Sequence, residues 1–124
     1  METRSGKMLR IIYKSKIHNA TVTDANLNYT GSITIDSDLL KAADIFPGEK
    51  VQIANLNNGT RVETYVIEGE AKSGTICMNG AVARWAQKGD KVIIISYCFV
   101  ESKEASTFTP KNIFLNDKNN QKKV

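Results

Sequence analysis

The sequence is poor in the residues that build metal centres and covalent frameworks: of 124 residues, one is histidine, His18, and two are cysteines, Cys77 and Cys98. Each cysteine lies in an apolar run with no C-x-x-C pair and no histidine at metal-ligand spacing. Both read as buried thiols, and no metal site is expected. No glycine-rich phosphate loop precedes a helix. No apolar run approaches the ~20 residues of a membrane span, and no charged-then-apolar leader opens the chain, so the expectation is a soluble, cytoplasmic protein with no membrane contact. Blocks of one charge are missing too. The 17 Lys and Arg against 13 Asp and Glu leave a net charge of +4, mixed along most of the chain. Lys118, Lys122 and Lys123 read as a solvated tail rather than a basic face, so nucleic acid is not an expected partner.

What is present is a single domain's worth of ordinary hydrophobic sequence, long enough to bury a core without staples. Met1 to Lys7 is a polar extension, either an alternative start or a remnant foreign to the domain. Met8 to Tyr13 and Ala20 to Thr23 are β-branched and apolar, and Ser32 to Ile35 alternates. Asp36 and Ser37 then offer caps for a short helix over Asp38 to Ala43. Phe46-Pro47-Gly48-Glu49 is a turn before a strand from Lys50 to Leu56. Asn57-Asn58-Gly59-Thr60 is a tight-hairpin signal, which makes Arg61 to Glu68 the return strand. On that strand Arg61, Glu63 and Tyr65 share one face, and Val62, Thr64 and Val66 the other. Thr75 to Met78 follows as strand, Asn79-Gly80 opens a short small-residue helix through Trp85, and Lys91 to Val100 is apolar on both faces, as a covered central strand is. Ile113 to Leu115 reads as an edge strand, and 116–124 as a frayed tail. Many short strands without βαβ alternation specify a small β-barrel.

Between two strand-like segments stands Tyr29-Thr30-Gly31-Ser32. Ser32 Oγ can attack the carbonyl carbon of Gly31, because glycine has no Cβ to block the approach and tolerates strained backbone angles. As a bare dipeptide, Gly-Ser is far more often an ordinary turn.

The order of several motifs adds to this. Lys16-Ile17-His18, Tyr29-Thr30-Gly31-Ser32, Asn58-Gly59-Thr60-Arg61-Val62-Glu63-Thr64-Tyr65, Asn79-Gly80-Ala81-Val82-Ala83-Arg84 and Gly89-Asp90-Lys91-Val92-Ile93-Ile94 together resemble the aspartate 1-decarboxylase family, from about Met8 to Leu115. The resemblance implies a mainly β fold, a six-to-seven-stranded double-psi β-barrel with short helices. It implies a homotetramer with pockets at subunit boundaries, and self-cleavage between Gly31 and Ser32 into a β fragment, 8–31, and an α fragment, 32–124. The cofactor would be a covalently bound pyruvoyl group derived from Ser32. The reaction would convert L-aspartate to β-alanine and carbon dioxide through an imine with the substrate amine, in pantothenate biosynthesis.

The same resemblance distributes roles. Ser32 and Tyr65 would be catalytic, the Tyr65 phenol protonating Cα after carbon dioxide leaves. Thr64 would bond the oxyanion formed at Gly31 during self-cleavage, and Tyr29 would order the loop beside the bond. Arg61 and Lys16 would hold the two substrate carboxylates, in either assignment. Asn79, Gly80, Ala81 and Val82 would line the pocket, with Val82 standing where the family pattern has alanine, and His18 would tune its charge. Taken singly, each of these residues has a plainer use as a strand, turn or core position. Two rivals from other classes make distinct predictions. A non-catalytic β-barrel binding module stays uncleaved, and a basic DNA-binding barrel loses affinity steeply with salt.

Overall fold

The computed structural model describes residues 8–122. Eight strands form one sheet: β1 (Leu9–Thr21), β2 (Asp24–Asn26), β3 (Ser32–Asp36), β4 (Lys50–Asn55), β5 (Arg61–Gly69), β6 (Ile76–Asn79), β7 (Lys91–Glu101) and β8 (Lys111–Phe114), in the spatial order β2-β6-β3-β5-β4-β7-β1-β8. Two short helices are α1 (Ser37–Ala43) and α2 (Ser102–Ala105), and Gly80–Arg84 forms a 3₁₀ turn. The pairing is mixed, parallel at β1/β8, β2/β6 and β3/β5 and antiparallel elsewhere. This is the mainly β architecture expected, with eight strands among the described residues rather than six or seven.

Alternation decides what faces inward. Ile17, Ile33, Ile35, Val51, Ile53, Val66, Ile76, Met78, Val92 and Ile94 are buried in one cluster that also takes Leu39, Leu40 and Ala43 from α1. A sheet that contributes one face from six strands to a single cluster must curl around it. Each such aliphatic side chain stabilises the fold by about 1.5–3 kcal/mol.

Local chemistry sets the turns that place the site. Asp36 caps α1, its Oδ1 accepting from the Asp38 N–H at 2.8 Å, and its carboxylate also accepts from the backbone N–H groups of Lys72 and Gly74 at 3.2 and 2.9 Å. One buried side chain therefore joins the end of β3 to the turn before β6. The expected hairpin closes β4 onto β5, with Gly59 at φ +76° and the Asn55 N–H bonded to Thr60 O at 2.9 Å. The expected strands from Met8 and from Ala20 are parts of one strand, β1, whose register slips between Tyr13 and Ser15 and again between Ile17 and Ala20.

Two further expectations are corrected. The segment from 116 through 122 is not frayed: Leu115 is fully buried, and the buried Asn119 side chain donates to Thr21 O and Gly74 O and accepts from the Thr21 N–H at 2.8 Å. Lys118 and Lys122 are exposed as expected, while Lys123 lies outside the described residues, as does the extension Met1 to Lys7. The cysteines are half-buried rather than buried. Nearby, the hydrogen bond from Lys91, with its charge, holds the exposed Asp117 carboxyl below its ordinary pKa. Among the described residues no helix is long and apolar enough to cross a membrane, and no group of His, Cys, Asp and Glu is placed to hold a metal.

Candidate active site

The Gly31-Ser32 bond lies where an exposed loop becomes a buried strand. Gly31 is exposed, whereas Ser32, the first residue of β3, is 0% exposed. Ser32 pairs with Asn79 across the antiparallel β3/β6 ladder, and Thr34 pairs with Cys77. Because side chains two apart share a face, these four residues form a square. The Asn79 amide Nδ2 donates to Ser32 Oγ at 3.1 Å and to Thr34 Oγ1 at 2.9 Å, and its Oδ1 accepts from the Cys77 thiol at 3.3 Å. Burial, and secondarily the charge of Asp24, push the Cys77 thiol above its ordinary pKa, so it keeps the proton it donates.

Gly80 closes the site from β6. It has φ +65°, and a Cβ built on it would lie 2.7 Å from Gly31 Cα and N and 2.9 Å from Tyr29 O. Only glycine lets the 3₁₀ turn press against the loop ahead of Ser32. A Cβ on Gly31 would meet nothing nearer than Asn79 O at 4.0 Å, so crowding by neighbours does not demand glycine there.

β5 runs alongside. Its parallel register sets Ile33 beside Val66, and continuing that register backward brings Gly31 and Ser32 level with Thr64 and Tyr65. Thr64 is half-buried on the inner face and Tyr65 is 45% exposed on the outer, beside a shallow hollow of about 280 Å³ lined by Lys50, Glu63, Thr64 and Tyr65. The two neighbours thus point opposite ways, as strict alternation requires.

The family model for aspartate decarboxylase matches residues 8–122. The chain belongs to the aspartate decarboxylase family. A protein of Caldicellulosiruptor saccharolyticus named aspartate 1-decarboxylase is 61% identical over 112 residues, covering 90% of this chain and 88% of that one. Relatives of the same name from Thermoanaerobacter pseudethanolicus and Listeria innocua are each 60% identical over 112 residues, covering 90% of this chain and 96% and 88% of theirs. Among solved structures, the computationally designed msDPBB_sym2 aligns with 70% of this chain and 99% of its own, at 16% identity and a TM-score of 0.44, a likeness too slight to bear on function.

Within one chain of this family member, the site residues fall into two groups. Tyr29, Gly31, Ser32, Asn79 and Gly80 meet at the start of β3. Lys16 stands elsewhere, on β1, separated from β3 in the strand order by β5, β4 and β7, while Arg61 is on the neighbouring β5 but turned to another partner. Lys16 Nζ lies 4.8 Å from the centre of the Tyr13 ring. Arg61, exposed at the start of β5, donates to Gln52 Oε1 at 3.0 Å, the same oxygen that accepts from Tyr97. Gln52 and Tyr97 help line a second hollow, of about 250 Å³, that contains no residue of the Gly31-Ser32 turn. Ala81 is exposed, and the Val82 side chain goes into the core cluster, so the bulk it adds is absorbed there. His18 stacks on Phe114 with centroids 4.5 Å apart and bonds Asn112 at 3.2 Å. These contacts place its ring in the seam between β1 and β8. The residues that sequence reading missed are Thr34 and Cys77. The alternation Ser32-Ile33-Thr34 against Cys77-Met78-Asn79 was their only signal.

Proposed function

We propose that this chain is a self-processing decarboxylase that converts L-aspartate to β-alanine and carbon dioxide, using a pyruvoyl group made from Ser32. Membership in the aspartate decarboxylase family supports the reaction. The observation that carries the self-processing is the pairing of a buried, amide-bonded Ser32 Oγ with an exposed Gly31 against which Gly80 packs so closely that Gly80 itself has no room for a side chain. The surroundings fit the group: a small planar ketone on residue 32 keeps the Asn79 N–H as a partner for an oxygen.

The chain's own steps balance as follows. Ser32 Oγ bonds to the Gly31 carbonyl carbon, the C–N bond breaks, and the Oγ proton ends on the Ser32 nitrogen. Thr64, level with Gly31 on β5, offers its hydroxyl to the transient oxyanion. The Ser32 Cα then gives its proton to water, the Cβ–Oγ bond breaks, and Oγ departs as part of the Gly31 carboxylate. One water enters and one ammonia leaves, which completes residue 32 of the α fragment, 32–124, and frees the end of the β fragment, 8–31. Once formed, the pyruvoyl ketone supplies an electrophile for the substrate amine and a sink for the electrons left on Cα.

The remaining work is done by side chains. Two carboxylates on the substrate call for two cations, and Arg61 and Lys16 supply them. Since three strands separate Lys16 from β3 in one chain and Arg61 is turned to Gln52, the pocket is completed between copies in a homotetramer. The Tyr65 phenol, exposed and level with Ser32 on the neighbouring β5, returns a proton to the substrate Cα. The β-alanine product would enter pantothenate biosynthesis in the cytoplasm.

Intact mass spectrometry tests this reading: two fragments are expected, whose masses sum to the parent plus one water minus one ammonia, together with carbon dioxide release from aspartate. A persistently whole chain that still decarboxylates aspartate would refute it. Arg61→Ala is expected to lower kcat/KM for aspartate by about tenfold to a hundredfold, the worth of charged hydrogen bonds to one carboxylate, while self-cleavage proceeds as before. Unchanged kcat/KM removes Arg61 from substrate binding.

A further inference from the structure

We infer that Thr34 and Cys77 are positioning residues for self-cleavage: between them they hold the Asn79 side chain so that its N–H, not its carbonyl, faces Ser32 Oγ. The inference rests on the self-cleavage proposed above and concerns residues with no role in it so far.

An asparagine amide has nearly the same shape either way round, and its partners decide which end points where. Asn79 is only 3% exposed, so water does not make the choice. In the orientation found, the two N–H groups meet two hydroxyl oxygens, Ser32 Oγ at 3.1 Å and Thr34 Oγ1 at 2.9 Å, and the carbonyl meets the one thiol at 3.3 Å. All three polar functions are satisfied. Turned over, the amide would set both N–H groups toward a single sulfur, a weak acceptor, and leave a buried donor unpaired. Ser32 cannot make this choice alone, because a hydroxyl accepts or donates equally well. Thr34 supplies the second oxygen on one side and Cys77 the proton on the other.

The orientation matters because negative charge appears on Ser32 Oγ twice. It appears as Oγ loses its proton and bonds to the Gly31 carbon, and again as the Cβ–Oγ bond breaks and Oγ leaves with the Gly31 carboxylate. An N–H already aimed at Oγ stabilises both moments without reorganising, whereas a carbonyl aimed there would repel the charge.

The test is the rate of conversion of the whole chain into its two fragments, followed by intact mass after expression is stopped, with thermal melts to check folding. Thr34→Val and Cys77→Ala are expected to cleave about tenfold more slowly than the parent, the worth of one hydrogen bond. Thr34→Ser and Cys77→Ser restore the hydroxyl acceptor and the donor, and are expected to cleave close to the parent's rate. A merely structural role would show as a lowered melt shared by all four variants, with no rescue by serine. Parent-like cleavage in Thr34→Val and Cys77→Ala overturns the inference and leaves the self-cleavage standing, as does equal slowing in the alanine, valine and serine variants. A parent that never cleaves overturns both.

Discussion

Ser32→Ala is expected to persist as one uncut chain and to release no carbon dioxide from aspartate above background. The reason lies in the atom removed. In the proposed self-cleavage Oγ is the nucleophile that reaches Gly31, the oxygen that carries the acyl group, and the leaving atom of the elimination, and alanine supplies none of these. Loss of the nucleophile in serine-dependent enzymes costs on the order of 10⁶ in rate. Here the loss is compounded, because without the first step the electrophile for the substrate never forms. Folding should survive. Ser32 is wholly buried, but alanine is smaller, and the damage is confined to the Asn79 N–H that loses its acceptor, about 1–3 kcal/mol. Thr34 still accepts the other. The measurement is intact mass beside carbon dioxide release, with a melt to show that the inactive chain is folded. Turnover by the uncut variant would end the claim that Ser32 is the source of the cofactor.

Gly80→Ala is the second large effect, and it acts through backbone. At φ +65° an L-residue crowds its own carbonyl, at about 1–2 kcal/mol. The new Cβ would also sit 2.7 Å from Gly31 Cα and N, inside contact distance of atoms with no flexible end to swing away. Overpacking of this kind adds about 1–3 kcal/mol. Together these should lower Tm by roughly 10 °C for a domain of this size. The more specific consequence is for the scissile bond. Relief of the clash must move either the 3₁₀ turn or the loop ahead of Ser32, so cleavage should slow far more than the melt alone accounts for. An alanine variant that melts and cleaves like the parent would mean that Gly80 does not press on Gly31.

These two substitutions lie at positions that differ in how they could be read. Ser32 was visible in the sequence because Gly-Ser beside Tyr29 has a chemistry of its own and the spacing of Lys16, Arg61, Tyr65 and Asn79 around it is specific. Gly80 was visible as a residue but not as a contact, since Asn-Gly is a common turn and nothing local says what the turn presses against. The tail shows the same limit. Asn116 to Gln121 looks like a solvated polar run, and its order comes from Asn119 reaching Thr21 and Gly74, 98 and 45 residues away in the chain.

Sequence alone settled the features that depend on near neighbours. Alternation of polar and apolar residues marked the strands, Asp36 and Ser37 the start of the helix, and Asn58-Gly59 the hairpin, because each follows from side-chain period or backbone preference within a few residues. Tertiary structure decided what faces Ser32. Cross-strand register put Asn79, Thr34 and Cys77 into one hydrogen-bonded square, and strand order set Lys16 away from it. Register and strand order are products of the whole packed core, so no local stretch of sequence carries them.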